Sequence, residues 1–85
     1  MTSTLGDALT ERLDLTGQNQ RDAADEVGAS LSSFNKWARD LATPTPDFYA
    51  ALMAYLDVDL DGLGGMILRG QLRRAEIHLR LAGRR

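Results

Sequence analysis

Apolar residues recur every three or four positions along this chain, which is the spacing of helices that each bury one face. The clearest example is the stripe formed by Leu5, Leu9 and Leu13. Either Ser3 or Thr4 can cap the helix that carries this stripe, because a hydroxyl group accepts a hydrogen bond from a free N–H of the first turn. No stretch alternates apolar and polar residues as a strand does. The pattern therefore predicts an all-α fold.

Turn and capping residues divide the middle of the chain into short helices. Asn19 can cap a second helix over residues 20–27, and Gly28 ends it. Ser30 is a good N-cap for a third helix, which continues to about Arg39. The connection between the second and third helices is therefore only a few residues long.

A proline marks the start of the fourth helix. Thr45 is expected to cap it, with Pro46 at the first helical position, where the N–H that proline lacks would have no partner in any case.

Asp59 can cap a fifth helix that begins at Leu60. Three glycines follow, and each costs about 1 kcal/mol relative to alanine in a helix, so we expect either a break or close helix packing there. These glycines are Gly62, Gly64 and Gly65.

Residues 20–37, with the sequence QRDAADEVGASLSSFNKW, have the residue types expected of two helices joined by a tight turn. Ala24 lies where the two helices must come close, which requires a small side chain. Gly28, four residues further on, supplies a turn with positive φ. Two short helices joined in this way form a unit that lays its second helix in the major groove of DNA. The expected core residues of this unit are Val27, Ala29, Phe34 and Trp37.

These residues resemble the helix-turn-helix DNA-binding proteins of the phage repressor and Cro family. The similarity covers about residues 5–63, because residues 44–47 (PTPD) are similar to the family's proline-led fourth helix and residues 58–63 to its closing stretch. The resemblance implies a compact five-helix, repressor-like helix-turn-helix domain over residues 1–65. A basic amphipathic C-terminal helix over residues 66–85 would follow it.

The resemblance also implies which side chains contact double-stranded DNA. The recognition helix would cover about residues 31–39, and the first residue of the preceding helix would contact DNA as well. Serine can bond several bases, asparagine pairs with adenine, lysine meets guanine, and leucine can touch a thymine methyl group. An arginine at the end of the helix would reach a phosphate. The expected DNA-binding residues are Gln20, Ser30, Leu31, Ser32, Ser33, Asn35, Lys36 and Arg39.

Three features depart from the family and weaken the expected DNA affinity. The family often has lysines or arginines in the loop before the fourth helix, whereas residues 40–43 (DLAT) contain none. Asp40 stands where a glycine usually closes the recognition helix. Three acidic residues, Asp22, Asp25 and Glu26, lie on the helix expected to cross the phosphate backbone. Because phosphate contacts supply most of the affinity of such proteins, we expect a single copy to bind DNA weakly.

Charge divides the chain into an acidic body and a basic tail. Residues 1–65 contain four basic and eleven acidic residues, for a net charge of −7, whereas residues 66–85 contain six arginines and one glutamate, for a net charge of +5. The tail arginines could meet a DNA backbone, the acidic groups of a partner protein, or the acidic body of the same chain or of its dimer mate. The arginines considered for these contacts are Arg69, Arg73, Arg80, Arg84 and Arg85.

The tail also carries an apolar seam. Its residues follow a 4-3-4-3 spacing, which is the a/d pattern of a short coiled coil. The sequence therefore predicts a homodimer formed through this seam. The residues are Leu68, Leu72, Ala75 and Leu79, followed by Ala82.

Several kinds of protein are not supported by the sequence. The chain has no cysteine and only one histidine, His78, so no metal site or other cofactor is expected. No nucleophile with a nearby base and no phosphate-cradling glycine loop is found, so the chain is not expected to be an enzyme. It has neither a long apolar run nor the features of a signal peptide, so the expected location is cytoplasmic.

Two functions remain from the sequence. The first is a sequence-specific, dimeric transcriptional regulator of the repressor and Cro type that binds double-stranded DNA. The second is a protein-interaction adaptor or antitoxin-like protein on the same helix-turn-helix scaffold, with weak or no DNA binding. In the second case a partner protein would bind the acidic body or the arginine tail.

Overall fold

The computed structural model describes residues 3–83, in which five α-helices are joined by connections of a few residues. The part of the chain that it describes contains no strand, so the all-α prediction is confirmed. A single 3₁₀ turn, Pro46–Phe48, precedes the fourth helix. The helices are α1 (Leu5–Thr16), α2 (Gln20–Val27), α3 (Leu31–Ala38), α4 (Tyr49–Leu56) and α5 (Leu60–Ala82).

The capping residues fix where most of the helices begin. Thr4 forms a capping box with Asp7, because its Oγ1 accepts from the Asp7 N–H at 3.1 Å while its own N–H donates to the Asp7 carboxylate at 3.3 Å. The side chains of Asn19 and Ser30 cap α2 and α3 by accepting from the N–H groups of Asp22 and Ser33, respectively. Gly28 ends α2 with φ of 77°, a left-handed conformation that glycine adopts without steric cost. Local sequence therefore determines these boundaries.

The start of the fourth helix differs from the prediction. Thr45 forms no side-chain capping hydrogen bond, and its carbonyl oxygen accepts from the Phe48 N–H at 3.1 Å, which closes a 3₁₀ turn. Regular α-helix begins only at Tyr49. The tight turn carries Phe48 to the core, where its ring centroid lies 5.0 Å from that of Trp37.

The core lies between all five helices. It is built from one or two large side chains of each helix together with small residues where α2 approaches its neighbours. Ala24 is 1% exposed, in agreement with the small side chain expected there. The buried hydrophobic residues are Leu5, Leu9, Ala23, Ala24, Val27, Phe34, Trp37, Leu52, Tyr55 and Leu63.

Helix α5 is continuous through its glycines, so the expected break does not occur. The side chain of Asp59 accepts from the Gly62 N–H at 2.7 Å and caps the helix, while Leu63 is fully buried. Close packing does not explain Gly64 either, because a Cβ there would meet nothing within 4 Å. The capping bond and the burial of Leu63 offset the low helix propensity of the glycines.

Among the described residues, no helix is both long enough and apolar enough to cross a membrane.

Candidate nucleic-acid interface

Helix α3 presents a polar face because two aromatic side chains fix its other face in the core. Phe34 and Trp37 are buried, and their ring centroids lie 6.4 Å apart. Residues on the opposite side of this two-turn helix therefore point away from the body, and Ser32 and Lys36 are exposed. The rotation of α3 about its axis is set by its core contacts.

The outward side chains of α3 line one open depression with a volume of about 480 Å³. Six of the eight residues expected at the DNA lie there, and one of the six, Gln20, comes from the first turn of α2. Leu41, which directly follows the helix, also lines the depression and is half exposed. Sequence reasoning missed Leu41, because it follows the predicted recognition helix, which ends at about residue 39. The lining residues are Gln20, Leu31, Ser32, Asn35, Lys36, Arg39 and Leu41.

A hydrogen bond between two amides links α2 to α3 within this surface. The Nδ2 of Asn35 donates to the Oε1 of Gln20 at 3.0 Å. Among residues 3–83, the Nε2 of Gln20 and the Oδ1 of Asn35 make no hydrogen bond. The pair therefore presents one amide donor and one amide acceptor at adjacent positions.

Ser30 and Ser33 have a different role from that of the other predicted residues. The Ser30 hydroxyl accepts from the Ser33 N–H at 3.1 Å and donates to the Ser33 Oγ at 3.0 Å. The Ser30 hydroxyl thus caps α3, the Ser33 hydroxyl is bonded to it, and neither residue lines the depression. The sequence did contain a signal for this capping role, namely the position of Ser30 at the N-cap with Ser33 three residues later. A hydroxyl at the N-cap satisfies a free N–H group of the first turn.

Charges of opposite sign occupy neighbouring helices. Lys36 and Arg39 are exposed on α3, and neither forms an ion pair within the part of the chain that the structure describes. The acidic residues Asp22, Asp25 and Glu26 are exposed on α2. A polyanion would therefore be attracted by α3 and repelled by α2.

Asp40 closes α3 and joins it to α1. It has φ of 55°, so it adopts the left-handed conformation in place of glycine, which short polar side chains tolerate better than most. Its carboxylate accepts from the Thr4 hydroxyl at 2.6 Å and from the Gly6 N–H at 2.9 Å. The side chain is only 11% exposed. The strain of a left-handed aspartate at this position is thus compensated by tertiary hydrogen bonds.

Two glycines allow the helices to approach Asp40. A Cβ on Gly6 would lie 2.7 Å from the carbonyl oxygen of Ala38, and a Cβ on Gly70 would lie 2.9 Å from the Asp40 Oδ1. Both distances are shorter than real contacts, so larger residues would force α1 or α5 away from the end of α3. No local pattern along the chain indicates this three-helix junction.

Two of the tail arginines bind the body of their own chain. Arg73 forms ion pairs with Asp7 at 3.1 Å and Asp40 at 3.5 Å, and the Nε of Arg69 donates to the Ser3 carbonyl oxygen at 2.8 Å. The hydrogen bond from Arg73 lowers the pKa of Asp7, and the same bond raises the pKa of Arg73. Of the three roles considered for the tail, the structure shows contact with the acidic body for these two residues.

The rest of the tail extends from the body. Arg80 pairs with Glu76 on the same helix, and its side chain remains largely exposed. Arg84 and Arg85, which were also considered for DNA or partner contacts, lie outside the described residues. The residues predicted to form a dimer, Leu68, Leu72, Ala75 and Leu79, are all exposed.

Comparison with protein-family models, curated proteins and solved structures finds no match to this chain. Among the described residues, no group of histidine, cysteine and carboxylate side chains is arranged to hold a metal ion. The depression on α3 is a candidate binding surface because it gathers six of the eight residues predicted to contact DNA.

Proposed function

We propose that this protein is a sequence-specific transcriptional regulator of the repressor and Cro type, which binds double-stranded DNA with α3 in the major groove. The observation that carries the proposal is the depression on α3. It joins Gln20 of α2 to the polar side chains of the next helix at a surface that the core leaves exposed. A major groove about 12 Å wide admits one α-helix with its side chains.

The side chains of this surface match the groups on base edges. Lys36 can donate to the O6 and N7 of guanine, and the amide of Asn35 can pair with adenine. Ser32 can bond several bases, while Leu31 offers an apolar contact for a thymine methyl group. Arg39, at the end of the helix, is suited to a phosphate.

The Gln20–Asn35 hydrogen bond supports specific recognition. It holds the Asn35 amide in one orientation before DNA arrives, at a donor–acceptor distance of 3.0 Å. A side chain that is already ordered loses less conformational entropy on binding. Gln20 therefore acts by positioning Asn35 and by presenting its own free amide donor.

The acidic side chains of α2 limit the affinity of a single copy. Asp22, Asp25 and Glu26 are exposed beside the proposed interface, and like charges near a phosphate backbone oppose binding. Binding by one copy is thus expected to be weak and strongly dependent on salt.

A protein-interaction adaptor or antitoxin-like protein is the second candidate. The exposed leucines Leu31 and Leu41 in the same depression favour it, because apolar groups are well suited to a protein partner. The acidic face of α2 would add attraction for a basic protein.

Selection from a random DNA library, followed by gel-shift measurements at low and moderate salt, tests the proposal. We expect enrichment of one consensus sequence and a shift that disappears as salt is raised. A parallel selection with the double variant Asn35→Ala and Lys36→Ala should fail to enrich that consensus. Failure of the parent protein to enrich any sequence at low salt would overturn the proposal in favour of the second candidate.

A further inference from the structure

A small cavity lies between α1, α4 and α5. Its volume is about 190 Å³, which is larger than the roughly 150 Å³ of an apolar protein cavity that binds benzene. None of its lining residues belongs to the depression on α3, so the two surfaces are separate. Its walls include four apolar residues and two charged ones, namely Ala8, Leu15, Leu56, Met66, Glu11 and Arg12.

The apolar wall of this cavity comes from all three helices. Ala8 and Leu15 lie on α1, Leu56 is the last residue of α4, and Met66 lies on α5. Leu15 is 72% exposed, and both Leu56 and Met66 are partly exposed. An apolar group placed in the cavity would remove part of this surface from water, which favours binding.

Arg12 gives the cavity a positive charge that lacks a partner. Its Nε is buried and makes no hydrogen bond. Among residues 3–83, Arg12 also forms no ion pair. The guanidinium carbon lies 5.9 Å from the centre of the Tyr55 ring, a cation–π contact that holds the group in place. Because this guanidinium is already ordered and partly dehydrated, an anion that binds its terminal nitrogens costs it less entropy and less hydration.

Glu11 gives the same cavity a negative charge. It is exposed, and within the described part of the chain it forms no ion pair. Successive residues of a helix are rotated by about 100°, which separates the Glu11 carboxylate from the Arg12 guanidinium. The cavity therefore offers two unpaired charges of opposite sign beside an apolar wall.

We propose that this cavity binds a free α-amino acid with an apolar side chain, such as leucine or methionine. The ligand carboxylate accepts from Arg12, its ammonium group donates to Glu11, and its side chain covers Leu15 and Met66. A simple carboxylate would pair with Arg12 but would be repelled by Glu11, and a simple amine would meet the opposite problem. Charge complementarity thus favours a zwitterion. This binding goes beyond the proposed function and does not depend on it.

Titration of the whole chain with L-leucine, in the absence of DNA, tests the proposal. An open cavity of this size should bind its ligand with a dissociation constant of about 1 mM. The amide NMR signals of Glu11 and Met66 should shift saturably, while those of Ser32 and Lys36 on α3 should stay in place. The absence of saturable shifts at about 10 mM L-leucine, roughly ten times that constant, would overturn the proposal. Shifts confined to α3 would overturn it as well.

Three analogues determine which groups of the ligand are recognised. The analogue 4-methylpentanoate lacks the ammonium group, 3-methylbutylamine lacks the carboxylate, and glycine lacks the apolar side chain. Each should bind at least about tenfold more weakly than L-leucine, because each leaves one part of the cavity without its partner. An analogue that binds as tightly as L-leucine would overturn the recognition of an apolar amino acid.

Substitutions assign the two charges to their residues. Arg12→Gln and Glu11→Gln should each weaken L-leucine binding by about tenfold. Arg21→Gln and Asp14→Asn are the matched controls and should bind like the parent, because both residues are exposed and neither lines the cavity. Circular dichroism checks that each variant is folded, and Glu11 is exposed, so its variant decides the question even if Arg12→Gln unfolds.

Glu11→Gln also separates ligand recognition from a structural effect. This variant should bind 4-methylpentanoate more tightly than the parent does, because the repulsion between two carboxylates is removed. General damage to the cavity would weaken the binding of both ligands. Parent-like affinity of Glu11→Gln for L-leucine would overturn the proposal.

Discussion

Asp40 illustrates how one side chain can replace a glycine and also hold two segments together. It adopts φ of 55°, while its carboxylate accepts from Thr4 and Gly6 of the α1 segment. Asp57 has the same φ at the end of α4, but no side-chain hydrogen bond of Asp57 is found among the described residues. Comparing the two aspartates therefore separates the effect of the left-handed backbone on stability, which both residues share, from the effect of the side-chain hydrogen bonds, which Asp40 makes.

Replacing each aspartate by glycine should have different results. Asp40→Gly should lower the free energy of unfolding by about 1–3 kcal/mol, because the Gly6 N–H and the Thr4 hydroxyl lose their acceptor. Asp57→Gly should change it by less than about 1 kcal/mol, because relief of the left-handed conformation opposes the greater entropy of the unfolded chain. Urea denaturation of both variants checks the prediction. Equal losses would show that the Asp40 hydrogen bonds contribute nothing.

Trp37 is the residue expected to contribute most to the stability of α3. It is 4% exposed and packs against Phe34 and Phe48. Trp37→Ala should lower the free energy of unfolding by about 3–5 kcal/mol, a large part of the stability of a small domain. The control is Leu31→Ala, on the exposed face of the same helix. In denaturant unfolding it should change the free energy of unfolding by at most about 0.5 kcal/mol. A parent-like unfolding midpoint for Trp37→Ala would contradict its core role.

At the scale of whole helices, α3 separates stability from recognition on its two faces. Asn35→Ala and Lys36→Ala should each weaken binding to a selected DNA site by about 1–3 kcal/mol, the contribution of one good base contact. Lys36→Ala should leave the melting temperature unchanged because Lys36 is exposed, and Asn35→Ala should lower it only slightly because it removes one hydrogen bond, to Gln20. Gln71→Ala, on the exposed surface of α5, is the control and should bind like the parent. Parent-like binding by all three variants would show that α3 does not read DNA.

The attachment of α5 to α1 should depend on pH. Arg73 of α5 forms an ion pair with Asp7 of α1, and this contact lowers the pKa of Asp7 below the ordinary value of 3.8. A carboxyl group whose pKa is lower in the folded state stabilises the fold above its unfolded-state pKa, and this contribution disappears as the pH falls through the folded-state pKa. The stabilising effect of Asp7 is therefore complete at neutral pH.

Melting temperatures of the parent and of Asp7→Asn should reveal this dependence. The parent should be more stable at neutral pH, and the difference should shrink as the pH falls below about 4. Asparagine keeps a side-chain oxygen that can accept from the Thr4 N–H, so the comparison isolates the charge. Asp14→Asn, an exposed change on the same helix, should alter the neutral melting temperature less. A difference that stays constant down to pH 2, roughly two units below the ordinary pKa of a carboxyl group, would exclude an ionic contribution.

For the whole molecule, the division of charge predicts how DNA affinity responds to salt. The changes Arg80→Gln, Arg84→Gln and Arg85→Gln together should reduce the slope of log affinity against log salt by about 0.9 for each phosphate that the tail no longer binds. The preferred DNA sequence should stay the same, because backbone contacts position the protein without reading bases. Arg73→Gln is the control and should leave the slope unchanged, because Asp7 and Asp40 already bind that side chain. If the triple variant also keeps the parental slope, the tail does not contact DNA.

The helices, most of their caps and the core of the α2–α3 unit could be predicted from the order of the amino acids alone. These features depend on residues within four positions of one another, as in the caps formed by Thr4, Asn19 and Ser30. The same periodicity identified the outward face of α3, because burial of Phe34 and Trp37 leaves only one face exposed. Short-range spacing is sufficient for such features, since a helix repeats every 3.6 residues.

The way in which α1, α3 and α5 meet depends instead on long-range packing. Asp40 bonds to Thr4 and Gly6 across more than thirty positions of the chain, and Arg73 reaches Asp7 across 66. No local pattern encodes these partners, because a charged side chain has many possible hydrogen-bond partners until packing brings particular segments together. The sequence therefore predicted an acidic body and a basic tail, and three-dimensional packing determined which arginines join them.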